Sequence, residues 1–238
     1  MKTIRPYLIW FGIAVLLAFV AIRGMQWVRD HPEHFRAAPF EIAHPQGWAT
    51  HRKLAGMVAD DAACFAAFDR ADAGYQRRPV VGQGICRASQ RMVLTGDRLV
   101  PTMRPANAAP GCAVTAAMAL WNRDVVQPLA QRHFGKKVVA LENLGSYNCR
   151  TIGGGQRQSE HSTANAIDIS AFILADGTRI AVIDDWDDAD VRRDFLHDVR
   201  DGACDLFSTV LSPDYNRAHA DHFHLDMAAR SGAWTMCR

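Results

Sequence analysis

Apolar and polar positions follow several distinct patterns along this chain, and the first is the plainest. From Pro6 to Ile22 it reads PYLIWFGIAVLLAFVAI, an apolar run without a charge. A bilayer core takes a helix of about 17–25 such residues, and a signal-peptide core needs about 7–15. The run ends in VAIRGMQW, with Arg23 and bulky side chains where a cleavage site has small ones. The pattern predicts an uncleaved signal anchor over residues 1–23, with a cleaved signal peptide as the alternative. Lys2 and Arg5 precede the run, while Arg23 and Arg29 flank its other end. Read with the amino-terminal side in the cytoplasm, this is a single-pass inner-membrane protein with its main domain in the periplasm.

Residues 24–58 mix proline, histidine and aromatics without a clear period, and read as a membrane-proximal spacer, packed in part. Asp60 to Ala73, DDAACFAAFDRADA, has helical spacing of apolar residues, with Asp60 or Asp61 as its cap. ICRASQRMVLTGDRLVPTM predicts short strands with a turn around Gly96-Asp97. The segment from Cys112 to Gly135 predicts a helix with Val114, Met118, Trp121, Val125 and Leu129 near one face. Gly135 stops it, and Pro128 kinks it or divides it in two. KKVVALENL, NAIDISAF, GTRIAVI, FSTVLS and DHFHLDMA read as strands. DDADVRRDFLHDVRDGAC reads as an amphipathic helix capped by Asp187 or Asp188. Helices alternate irregularly with short, half-polar strands, which predicts an α+β domain over residues 59–238. Its expected sheet is small and mainly antiparallel, packed with helices.

Composition changes this picture in two places. A net charge of +2 gives no electrostatic reason to expect nucleic acid as a partner. All six cysteines lie beyond the anchor and none forms a C-x-x-C pair, so an even count behind an export signal predicts up to three disulfides. Their pairing is open at this stage.

Candidate chemistry gathers in two segments. In a strand, the AIDIS stretch turns Ile167 and Ile169 toward the core and Ala166, Asp168 and Ser170 to the other face. His161 stands seven residues before Asp168, in the loop SEHS. In HADHFHLDM, His222, His224 and Asp226 share one face, and Asp221, Phe223 and Leu225 the other. His161, Asp168 and one of these histidines supply two nitrogens and a carboxylate oxygen. That set suits Zn²⁺ with a fourth position left for water. Such a metal acidifies water and polarises a carbonyl. His31, His34, His44, His51, His133, His197 and His219 read as surface or packing residues. Gly153–Gly155 lacks the Lys-Ser/Thr of a phosphate loop, and DDWDDAD lacks the spacing of a calcium loop.

The combination of Ser159, His161 and Asp168 with a distal His222-x-His224 resembles the zinc peptidases that cut peptidoglycan stem peptides. These include D-Ala-D-Ala carboxypeptidases, D,D-dipeptidases and penicillin-insensitive murein endopeptidases; Hedgehog signalling domains share the zinc layout. The wider run GSYNCR…SEHSTANAIDISAF…DGACDLF…HADHFHLDM resembles bacterial extensin-like C-terminal domain proteins, over about residues 60–238.

The resemblance implies His161, Asp168 and His224 as zinc ligands and His222 as the acid/base of the endopeptidase type. Carboxypeptidases of the group place a Glu three residues before the last ligand, where this chain has Asp221, so Asp221 is the alternative. An upstream arginine that holds substrate and steadies the oxyanion matches Arg150, with Arg157 second. Ser159 matches a serine that bonds a ligand or substrate carbonyl, or else shapes its turn. The expected function is zinc-dependent hydrolysis of peptide bonds in peptidoglycan stem peptides or cross-links. The alternatives are a non-catalytic, zinc-stabilised binding module of the cell envelope, and an envelope domain held by disulfides alone.

Overall fold

The computed structural model describes residues 4–96, 98–230 and 234–238. Lys2 of the anchor and Asp97 of the expected turn lie outside the described residues. The first element is an apolar helix, α1 (Ile4–Asp30), of which Tyr7–Asp30 is long and apolar enough to cross a membrane. Tyr7–Asp30 is exposed along its length, and near its end Trp27 meets His34 and Phe35 of the segment that follows. The helix runs on past Arg23, the expected boundary, to Asp30.

Then follow α2 (Thr50–Gly56) and α3 (Asp61–Arg70), a hairpin of β1 (Tyr75–Arg77) with β2 (Met92–Leu94), and β3 (Thr102–Arg104). Two helices, α4 (Cys112–Trp121) and α5 (Gln127–Phe134), lead to the long strands β4 (Val138–Gly145) and β5 (Ala166–Leu174). The last part holds β6 (Arg179–Ala181), α6 (Val182–Asp185), α7 (Val191–Ala203), β7 (Thr209–Leu211), β8 (Phe223–Asp226) and β9 (Met236–Cys237). The architecture is α+β.

Seven strands form one sheet in the order β3-β4-β5-β8-β7-β9, with β6 also paired to β5. The sheet is mixed: β3 lies parallel to β4 and β9 parallel to β7, while the other pairings are antiparallel. Both parallel strands are two or three residues long, too short for a direction to be read from their alternation. β5 is buried at every position except the half-buried Ser170. Its first half pairs with β8 and its second half with β6.

The helix expected from Cys112 to Gly135 is present in two parts. All ten residues of α4 are buried, so it is a core helix enclosed on every side and the one-face pattern understates it. A π-helical turn, Asn122–Val126, then joins it to α5, whose second residue is Pro128. The wider turn absorbs the hydrogen bond that proline cannot donate, so the helix is divided just ahead of it. Gly135 ends α5 in the left-handed conformation, φ 63°. Trp121 Nε1 donates to Val199 O of α7 at 2.9 Å, and its ring meets Phe172 and Phe207 edge-on. Helix and sheet layers are thereby joined at the centre of the core.

Residues 31–58 pack on the domain. Phe40, Ile42, Leu54 and Met57 enter the core, and the Arg123 guanidinium binds the carbonyls of Ile42 and His44. Asp60 caps α3 by accepting from Ala63 N, which settles that choice. Asp190 rather than Asp187 or Asp188 caps α7, accepting from Arg192 N, because the acidic run makes its turn before the helix begins. GTRIAVI is a strand only to Ala181, where Asp185 draws the Ala181 N–H into the short helix α6. All six cysteines are paired, as Cys64–Cys112, Cys86–Cys149 and Cys204–Cys237.

Candidate metal centre

The register of two strands builds the centre. β5 and β8 run antiparallel with Asp168 opposite His224, Ile167 opposite Leu225 and Ile169 opposite Phe223. The apolar pairs are fully buried in the core, so alternation turns Asp168 and His224 together to the other face. His161 comes from the 3₁₀ turn Glu160–Thr163 just before β5. Ser159 caps that turn, its buried Oγ accepting from His161 N at 3.3 Å. Of its two expected roles, shaping the turn is the one its contacts show. Ala164 ends the turn at φ 57°, with its carbonyl accepting from Gly111 N. On the other flank of β5, Gly145 stands opposite Asp168 at φ 109°, a conformation that a side chain would strain.

Three atoms converge: Asp168 Oδ1 lies 3.1 Å from His161 Nε2 and 3.0 Å from His224 Nδ1, and the two nitrogens are 3.0 Å apart. All three residues are buried, so water does little to screen the group. The far side of each ring decides what these atoms are. His161 Nδ1 is 2.8 Å from the carbonyl of Ser146, which can only accept, so Nδ1 carries the hydrogen. His224 Nε2 is 3.1 Å from Asp226 Oδ2 and donates to it in the same way. With both rings neutral, each would point a lone pair at the other and at a carboxylate oxygen. Three acceptors at such distances repel unless a cation lies among them, so this donor set can hold a metal.

Electrostatics agree with that requirement. Burial opposes ionisation of Asp168, yet the hydrogen bonds of His161 and His224 hold its carboxyl well below the usual carboxylate range. Burial lowers the basicity of His224, but Asp168 and Asp226 raise its pKa to about 9. These shifts favour a proton shared between His224 and Asp168 where no metal is bound.

His222 and Asp221 stand just before β8. His222 Nδ1 lies 2.7 Å from Asp221 Oδ1 and donates to it, so its Nε2 faces inward, 3.6 Å from Asp168 Oδ1. Asp221 is half exposed and behind the imidazole, in contact with the ring rather than with the ligand cluster. Arg150 sits in an exposed loop tied down by the Cys86–Cys149 disulfide and by two bonds between its own backbone and Ser162 Oγ. Arg157 is exposed in the same loop.

His219 belongs to this region, although the sequence placed it among the surface or packing histidines. Its ring centroid is 5.2 Å from that of His222 and 6.0 Å from that of His224. Burial, with His222 and His224 next, lowers its pKa to about 4. An H-x-x-H-x-H spacing was available in the sequence as a signal. Asp226 and Ser146 had weaker ones: a shared strand face for the first, and only a backbone carbonyl for the second.

His31, Glu33 and His34 also meet, with Glu33 Oε1 3.0 Å from His31 Nδ1 and 3.6 Å from His34 Nε2. His34 Nδ1 accepts from Trp48 N at 3.1 Å, so its Nε2 carries the hydrogen and faces Glu33 as a donor. That arrangement is a packed hydrogen-bond network, in line with the sequence reading of these histidines.

An α+β domain with a His–Asp–His cluster braced by a carbonyl and a carboxylate is the class that fold and site define. The family described as Extensin-like protein C-terminus matches residues 62–238, and the chain belongs to it. No curated protein and no solved structure matches the chain.

Proposed function

We propose that this protein is a zinc-dependent peptidase that hydrolyses peptide bonds in peptidoglycan stem peptides or cross-links. The observation that carries the reading is the pair of tautomer-fixed lone pairs, on His161 Nε2 and His224 Nδ1, aimed at Asp168 Oδ1 with His222 Nε2 beside them. Tetrahedral zinc with nitrogen and oxygen ligands about 2.0–2.1 Å away sets ligand atoms about 3.3 Å apart. The three spacings here fall just inside that, at 3.0–3.1 Å.

His161, Asp168 and His224 would hold the metal, and Ser146 O and Asp226 would fix their orientation. When bound, zinc supplies Lewis acidity, which acidifies water and polarises a carbonyl. His222 is the proton carrier: with Nδ1–H on the Asp221 carboxylate, its Nε2 can take a proton from attacking water and pass it to the leaving amine as the C–N bond breaks. Asp221 then acts as the group that orients His222. Arg150 offers a planar fork of donors to an oxyanion or a substrate carboxylate. Three disulfides suit an oxidising compartment and so support a periplasmic domain behind an α1 anchor.

The direct test is to incubate the zinc-loaded full chain with purified muropeptides and search for new peptide termini. Cleavage lost in His222→Ala establishes the reading. No cleavage across several cell-wall chemistries by a metal-loaded protein overturns it and leaves a binding module, which retained affinity for muropeptides would identify.

A further inference from the structure

The end of α1 is docked rather than loose. The Trp27 ring stacks on His34 with centroids 5.6 Å apart and planes 9° from parallel, meets Phe35 edge-on at 5.8 Å and stands 6.3 Å from Trp48. Trp48 is 80% exposed. Tryptophans at the end of an apolar helix settle at the membrane–water interface. Trp27 and Trp48 together therefore mark one level, the headgroup region of the bilayer that would hold α1.

Two residues after Trp48, at Thr50, begins α2, and beside it opens a cleft of about 330 Å³. Arg52 and Lys53 of α2 line it with Arg36 from the segment after α1, and with Arg70 and Asp60 at the two ends of α3. Most of these charges are already engaged. Asp60 caps Ala63 N, Arg70 Nε is 2.6 Å from Glu41 Oε1, and Lys53 Nζ donates to Pro32 O at 2.7 Å. Arg36 and Arg52 are exposed, and among the described residues neither guanidinium meets a hydrogen-bond acceptor or a carboxylate. Pro39, Phe40 and Met57 complete the walls with apolar surface.

Two unspent guanidiniums beside a lysine, over apolar walls and at headgroup depth, match one kind of ligand. A phosphate diester takes the planar donors of arginine in pairs, and the carbon chain attached to it takes the apolar wall. We infer that this cleft binds the phosphate of an anionic phospholipid from the same bilayer that holds α1. The domain would then be held to the membrane at two points, the helix and the cleft. This inference is independent of the metal centre.

The test uses the full chain in detergent micelles, followed by tryptophan-detected thermal unfolding as lipid is added. Phosphatidylglycerol is expected to raise the midpoint by about 3 °C or more in a saturable way, and phosphatidylcholine to leave it unchanged. Arg36→Gln/Arg52→Gln is expected to unfold at the wild-type temperature without lipid and to lose the shift. Arg36→Lys/Arg52→Lys, which keeps the charge and loses the fork, is expected to lose more than half of it. A shift of equal size with phosphatidylcholine overturns the inference, as does one that survives Arg36→Gln/Arg52→Gln. Full retention in the lysine pair means diffuse attraction and overturns a built site. An equal shift with inorganic phosphate, lost in the glutamine pair, overturns the lipid as ligand, and no shift with phosphatidylglycerol overturns the whole.

Discussion

Asp168 and His224 stand directly opposite each other on adjacent antiparallel strands, with carboxylate oxygen and imidazole nitrogen 3.0 Å apart. Neither has room to turn away, because both are buried and each is bonded on a second side. A metal at this point would bridge two strands as well as the loop of His161.

Removing a ligand should therefore empty the centre. His161→Ala and Asp168→Ala are expected to purify without stoichiometric zinc, and His222→Ala to keep it. Metal analysis of the three purified variants beside wild type checks this, and zinc retained by Asp168→Ala would exclude that carboxylate as a ligand.

In the proposed centre Asp226 would support a ligand without being one. Asp226→Ala leaves His224 Nε2–H without its acceptor, and is expected to weaken zinc binding about 10–100-fold. Competition against a chelator of known affinity measures that loss, and a change of less than threefold would assign Asp226 to the fold alone.

His222 and Asp221 should separate by size of effect. With zinc retained, His222→Ala is expected to lower hydrolysis by about 10²–10⁴-fold, the range for a lost proton carrier. Asp221→Ala, which removes only the group behind the ring, should cost less. Rates with a muropeptide substrate decide, and the reverse order would make Asp221 the acid/base.

Proton and metal compete for His224 Nδ1. The pKa of His224 in the metal-free fold, about 9, lies above the ordinary imidazole value of about 6.5. The stability contributed by its ion pairs is complete below about pH 6.5 and is lost as pH rises through about 9. Zinc must displace that proton, so binding should tighten about tenfold per pH unit between these limits and release one proton. Calorimetry in two buffers of different ionisation enthalpy counts it; a binding constant flat from pH 6.5 to 9 would contradict the ion pair.

The disulfides close loops of 48, 63 and 33 residues. Cys64–Cys112 joins α3 to α4 within the core, and Cys64→Ala/Cys112→Ala is expected to lose about 3–4 kcal/mol of stability. Denaturant unfolding of that variant measures it. Loss of Cys86–Cys149 should act differently, freeing the loop of Arg150 and lowering peptidase rate more than metal content.

Much of the centre was legible in the chain because strand alternation has a period of two. Ile167 and Ile169 flanking Asp168, and Phe223 and Leu225 flanking His224, set both faces before any tertiary contact was known. Asp60 as a cap and Gly135 as a stop were legible for similar local reasons. What lay hidden depends on contacts between distant segments. Ser146 supports His161 through a carbonyl, which every residue has. His219 looked ordinary because its turn, not a strand period, brings it to His222. The burial of α4 on all sides follows from how α2, α3, α7 and the sheet close around it, and the cysteine pairing from the same closure. The parallel strands β3 and β9 are too short to leave a pattern at all.

Register has one further consequence. Sliding β8 by a single residue along β5 would bring Phe223 or Leu225 to the place of His224 and push an imidazole into the oil of the interior. Whatever preserves a dry interior thus also preserves the alignment of the ligands, with no selection on chemistry needed. A descendant of this protein with no use for the centre would keep its outline long afterwards, as a footprint cast by its own packing.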